Sequence, residues 1–166
     1  MATKTNTRYA IAVRKLRTAA SLPLRTALLA ALLWLALWPM RLIILVTPTR
    51  FLVAPLGEDI SETRTNEHMA GHDGDAGTSP SVRRLAVAMG LAARYHPLSR
   101  TCYAQAILAH LLLSRLKEPH STFFGVRRGN PGSALEAHAW VLAGSTVVSG
   151  GKGQGNYTIV RRFFSS

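Results

Sequence analysis

The stretch TCYAQAILAHLLLSRLKEPHSTFFGVRR, residues 101–128, changes its hydrophobic period part-way along. Up to Lys117 the apolar residues Ala106, Ala109, Leu112, Leu113 and Leu116 recur at helical spacing, and Glu118-Pro119 stops the helix. Beyond Pro119, Thr122 to Arg128 is β-branched and aromatic, which is the composition of a strand. Working upstream, Ser79-Pro80-Ser81 supplies a cap and an early proline. Val82 to Arg94 then repeats Leu85, Val87, Ala88, Leu91 and Ala92 on a helical period before Pro97 ends it. Working downstream, Ala137 to Leu142 reads as a strand after a Gly/Asn/Pro turn. Ala143-Gly144-Ser145 reads as a hairpin into Thr146 to Val148, and Tyr157 to Phe164 as a closing strand. Helices followed by an antiparallel meander predict an α+β domain, with the cysteine-bearing helix packed on the sheet.

The rest of the chain divides by composition. Residues 1–56 form a basic arm (Arg8, Arg14, Lys15, Arg17) and the apolar run ALLAALLWLALWPMRLIILV at 27–46. That run is long enough for a membrane span, but Pro39 would kink it and Arg41 would lie in hydrocarbon. It reads equally as a helix facing the rest of the protein or a partner, or as one touching a membrane surface. Residues 57–80 hold most of the acids among glycines and read as an exposed linker, leaving 81–166 as the core domain. His68, His72, Asp73 and Asp75 are metal-ligand types, but Gly71 and Gly74 disfavour the helix that would align the histidines, so no metal is expected.

Lys and Arg number 20 against 8 Asp and Glu, for a formal charge of +12. Such a surface attracts anionic lipid, acidic peptide or polyanion without distinguishing them. The later aromatics Tyr95, Tyr103, Trp140 and Tyr157 are not interleaved with the basic residues as in single-strand platforms, so no specific nucleic acid is expected. The GGKGQG run at 150–155 lacks the Ser or Thr after Lys that a phosphate loop needs and reads as a mobile connection between strands.

The chain has one cysteine, Cys102, which excludes an internal disulfide and any multi-cysteine zinc site. It sits at the first turn of its helix, where unpaired N–H groups and the helix dipole, with Arg100 nearby, favour a thiolate. The same N–H groups can donate to an oxyanion. A cysteine there is as readily a small core residue. His138, in an apolar strand, is by itself as readily a core histidine. It gains interest as a base held on a rigid element beside the cysteine helix.

The order SRTCYAQA (99–106), a leucine-rich helix, FGVRR (124–128) and AHAWV (137–141) resembles the transglutaminase-like cysteine peptidase superfamily. More narrowly it resembles the stand-alone leader peptidases of lasso-peptide biosynthesis, whose leucine-rich N-terminal helices the region 27–56 also resembles. The resemblance implies removal of a leader from a ribosomally made precursor peptide, with Cys102 as nucleophile and His138 as base. It implies two partners, a separate leader-recognition protein and a lasso cyclase, and no cofactor. The expected location is cytoplasmic, with membrane association as an addition. The family's aspartate downstream of the histidine is missing, because no acid follows Glu136. Asn156, Ser149 and Glu136 are the side chains considered for orienting His138. The missing carboxylate also motivates a second reading, a non-catalytic subunit that binds the leader. A third makes the protein a membrane-associated basic protein.

Overall fold

The computed structural model describes residues 23–47, 58–59, 78–97, 102–129 and 134–165. The expected basic helix near the N-terminus, residues 99–101 ahead of the cysteine helix, and His68, His72, Asp73 and Asp75 lie outside the described residues. Among the described residues three α-helices pack on an antiparallel sheet: α1 (Leu24–Val46), α2 (Pro80–Tyr95) and α3 (Cys102–Leu116). The sheet contains β1 (Glu58–Asp59), β2 (His120–Arg127), β3 (Glu136–Ala143), β4 (Thr146–Ser149) and β5 (Thr158–Ser165). The α+β expectation and the packing of α3 on the sheet are both met.

Local chemistry sets the element ends. Ser79 caps α2, its Oγ accepting from the Ser81 N–H at 3.2 Å, and Pro80 occupies the first turn, where its missing N–H is not needed. His96 turns extended ahead of Pro97 and ends the helix. Lys117 takes the left-handed conformation (φ 54°), letting the Glu118 N–H return to Leu113 O at 3.0 Å. Gly144, at φ 55°, opens the two-residue hairpin between Ala143 and Thr146.

Strand order departs from the expected meander. It is β1-β5-β2-β3-β4, so β5 does not stay beside β4 but returns across the sheet to pair with β2. Strands β2 to β5 therefore make a Greek key. The segment 150–157 is the crossover, and it passes the β2–β3 pair where Gly125 faces His138. On the far edge, Glu58–Asp59, within the stretch read as linker, pairs with Phe163–Phe164.

The core lies between the helices and one face of the sheet. Leu33 and Leu37 of α1, Leu85 and Met89 of α2, and Ala109 and Leu113 of α3 meet Phe124, Ala139, Val141, Val148 and Phe163. Alternation along β3 sends Ala139, Val141 and Ala143 into this core. Of the residues expected on the helix faces, Val87 and Leu116 are exposed. Val82 and Met89 take the corresponding places on α2, and Ala104 and Ile107 on α3. Helix α1 is long and apolar enough to cross a membrane, with a mean hydropathy of 2.2 over 18 residues.

Candidate active site

Cys102 is the first residue of α3, half-buried and free. The first N–H groups of a helix have no partners within it, so α3 points potential donors toward its own start, where the thiol lies. Its neighbour Tyr103 packs its ring 5.3 Å from Phe124. Burial, with the negative charge of a Cys102 thiolate adding to it, pushes the Tyr103 phenol above its ordinary pKa and keeps it a neutral hydroxyl.

His138 lies one register pair from the middle of the β2–β3 ladder, opposite Gly125. Its Nε2 is 2.6 Å from the carbonyl oxygen of Gly150. A carbonyl only accepts, so Nε2 carries the proton, and in the neutral ring Nδ1 holds the free lone pair. The imidazole is clamped between Trp140 (5.8 Å between ring centroids) and Tyr157 (4.9 Å). Arg127 lies 4.9 Å over the Tyr157 ring, and Phe123 stacks on Trp140 at 5.4 Å.

Two glycines make this arrangement sterically feasible. A Cβ on Gly125 would stand 2.9 Å from both the Trp140 ring and Tyr157 Cβ, so glycine there lets the aromatic clamp close. Gly150 is held at φ 70°, and a Cβ on it would stand 2.2 Å from Ala139 O. Only glycine lets the backbone turn this close to β3, and that turn delivers the carbonyl to His138. The Gly-rich run 150–155, read from sequence as a mobile connection, is thus the segment that holds the imidazole.

A cleft of about 1310 Å³ wraps the start of β3, and Cys102, His138, Glu136, Ser149 and Gly150 all line it. Cys102 and His138 thus line one cavity but reach it from different sides of β3, because the His138 ring shares its strand face with Trp140, opposite the core-facing Ala139. The described contacts of the imidazole are the Gly150 carbonyl and the two rings, and the thiol is not among them. None of the three side chains considered for the orienting role is its acceptor. Glu136 is taken by Arg127, with Nε at 2.8 Å and Nη2 at 2.6 Å from Oε2. Ser149 is buried in the cleft wall, and its Oγ has no hydrogen-bond partner among the described residues. Asn156 is exposed on a 3₁₀ turn (Gln154–Asn156) and is not part of the cleft lining. Among the described residues no cluster of three metal-ligating side chains occurs.

A cysteine at a helix N-terminus and a histidine on a strand line the same cleft. The family model described as the transglutaminase-like superfamily matches residues 43–162. The chain belongs to this superfamily. That superfamily includes cysteine peptidases. No curated protein and no solved structure matches the chain. Sequence reasoning missed Gly125, Trp140, Tyr157 and Arg127, and it missed the Gly150 carbonyl. The one available signal was the density of glycine two strands after the histidine.

Proposed function

We propose that this transglutaminase-like protein is a cysteine peptidase that removes the leader from a lasso-peptide precursor before a partner cyclase closes the ring. The observation that carries the proposal is the shared cleft of Cys102 and His138, with His138 held by Gly150 so that Nδ1 is the basic nitrogen. A cleft of this size, open along the start of β3, suits an extended peptide better than a small metabolite.

In this reading peptide binding turns the start of β3 so that the His138 ring, which shares a strand face with Trp140 and not with the core-facing Ala139, comes round to the thiol. Nδ1 takes the thiol proton, and the thiolate sulfur forms a bond to the scissile carbonyl carbon. The oxyanion faces the first N–H groups of α3. His138 returns the proton to the departing amine as the C–N bond breaks, leaving a thioester. Water then attacks the thioester, His138 takes its proton, the C–S bond breaks and the thiol is restored. The Gly150 carbonyl fixes the tautomer throughout, as a carboxylate does in other triads, but contributes less charge to the imidazolium. The resemblance to stand-alone leader peptidases supports a cytoplasmic setting with a separate leader-recognition protein.

Mass spectrometry of a matched precursor, incubated with recognition partner and protein, tests the proposal. Wild type releases leader and Cys102→Ala releases none. Cleavage retained by the variant would remove the thiol from the chemistry. The thiol's absence from the imidazole's described contacts favours one other reading, a subunit that binds the leader without cutting it. In that case both Cys102→Ala and His138→Ala process the precursor as wild type does.

A further inference from the structure

Helix α1 buries Thr26, Leu33 and Leu37 against the rest of the protein, with Met40 and Ile44 continuing the same stripe half-buried. The spacing of four, then three, is one face of a helix. The opposite face is apolar too. Leu28, Leu32, Leu35, Leu42 and Leu45 are between 56% and 72% exposed, and no charged residue interrupts them. At about 100° per residue, Arg25 and Arg41 fall on opposite flanks of this outer face. A soluble monomer rarely leaves so long a contiguous apolar strip in water.

Charge says what covers it. The three described helices carry Arg25, Arg41, Arg83, Arg84, Arg94 and Arg115 and no Asp or Glu. A second copy would bring an equally basic helical layer, on a chain of formal charge +12, against the first. An anionic bilayer meets both features at once. Hydrocarbon takes the leucines, and headgroup phosphates take the exposed guanidinium groups of Arg25 on α1 and of Arg83 and Arg84 at the start of α2.

We infer that the outer face of α1 seats the protein on an anionic lipid surface. The helix lies along the membrane and does not cross it, because crossing would strip Thr26, Leu33 and Leu37 from their core contacts. Seating it this way leaves the cleft open. The α2 residues Ala86, Gly90 and Ala93 line the cleft, whereas Leu91 and Tyr95 of the same helix meet α1. The peptidase would then work at the bilayer surface with its cleft turned to the cytoplasm.

Vesicle flotation of the full chain tests this, using phosphatidylcholine alone and phosphatidylcholine mixed with phosphatidylglycerol. Wild type floats with the mixed vesicles, with binding at least about tenfold above that to phosphatidylcholine, and raising the salt weakens it. The triple variant Leu28→Glu, Leu35→Glu, Leu42→Glu stays at the bottom with an unchanged far-UV spectrum. Arg83→Ala with Arg84→Ala narrows the preference for phosphatidylglycerol and keeps the test decisive if the triple variant misfolds. Wild type that does not float, or a folded triple variant that floats equally well, overturns the inference. So does a detergent-free dimer that the triple variant dissociates, which would give the face to a second copy.

Discussion

His138 and His120 are anchored the same way and put to different uses. Each gives one ring N–H to a backbone carbonyl, His138 Nε2 to Gly150 at 2.6 Å and His120 Nδ1 to Glu118 at 2.8 Å. In His120 the second nitrogen is spent as well. It lies 2.8 Å from Nδ1 of His110, and both imidazoles are 2% exposed. Since Nδ1 of His120 donates, its Nε2 must accept, and His110 Nδ1 is the donor. In His138 the second nitrogen is not used by any described hydrogen bond, and the ring is half-buried beside a cleft that also holds a thiol. A carbonyl-anchored histidine is thus a common structural piece. What separates a catalytic candidate from a core residue is where the other nitrogen is left.

The sharpest test of that distinction exchanges each ring for a methyl group. His138→Ala is expected to lower kcat/KM for leader cleavage by about 10²–10⁴, the usual worth of a positioned general base, and to change the melting midpoint little. His110→Ala is expected to do the reverse. It leaves a cavity and an unpaired acceptor on His120, costing about 1–3 kcal/mol of stability, with kcat/KM preserved at temperatures where the variant is folded. Equal loss of activity in the two folded variants would break the comparison.

Next in size is Gly150→Ala, with Gly144→Ala as its control. Both glycines have positive φ, but a Cβ at Gly144 meets nothing within 4 Å, whereas one at Gly150 would overlap the Ala139 carbonyl. Gly144→Ala should cost only the backbone strain, about 1 kcal/mol in the melting curve, with activity kept. Gly150→Ala must move the turn that carries the anchoring carbonyl. Its stability loss should exceed the control's, and kcat/KM should fall at least about tenfold even at low temperature. A two-bond ¹⁵N–¹H spectrum of the wild type should show His138 as the Nε2–H tautomer, and the opposite tautomer would contradict the anchor outright.

The buried pair gives a pH signature. Burial lowers the His120 pKa below its ordinary value, only partly offset by the hydrogen bond to Glu118. The unfolded chain therefore binds a proton that the folded chain refuses. Stability is full above the unfolded histidine pKa, about 6.5, and declines as pH falls from there toward the lowered folded value. Protonation would also set two N–H groups against each other between His120 and His110. Thermal melts from pH 7.5 down to 5 should show this decline, and the double variant His110→Leu, His120→Leu should flatten it. An unflattened decline would place the acid sensitivity in other groups.

Much of this was legible in the sequence, and the illegible part has one physical source. Ser79-Pro80, Pro97, Glu118-Pro119 and Gly144 marked element ends because caps, prolines and positive φ act locally. The α+β class followed from a change of period at Pro119. Cys102 stood out by being single and helix-initial, and His138 by motif order. Strand order was not legible, because the return of β5 to β2 depends on contacts some 40 residues apart along the chain. The Tyr157 side of the imidazole clamp depends on that return, while the anchor, at the end of β4, is a main-chain atom, which no side-chain pattern can announce. His110 and His120 were passed over because a helix residue and a strand residue ten positions apart share no motif. The apolar run of α1 was plain, but which of its faces the protein covers is a tertiary fact.

The smallest expected effect is also the one that can do most damage to the comparison. Asn156 was the natural substitute for the missing aspartate, since an amide orients the histidine in papain-like enzymes. It is exposed on the 3₁₀ turn, its backbone N–H bonded to Gly153 O at 3.0 Å. Asn156→Ala should therefore leave kcat/KM within about twofold and stability within about 0.5 kcal/mol, as for other surface substitutions. Ser149→Ala should be equally mild, because it removes a hydroxyl with no partner among the described residues. A hundredfold loss in Asn156→Ala would mean that the crossover turns in the working enzyme to present the amide. Gly150 would then be a spacer, and the likeness between His138 and His120 an accident of the resting state. A twofold change would leave a main-chain carbonyl as the third member, a role that only glycine at position 150 makes geometrically available.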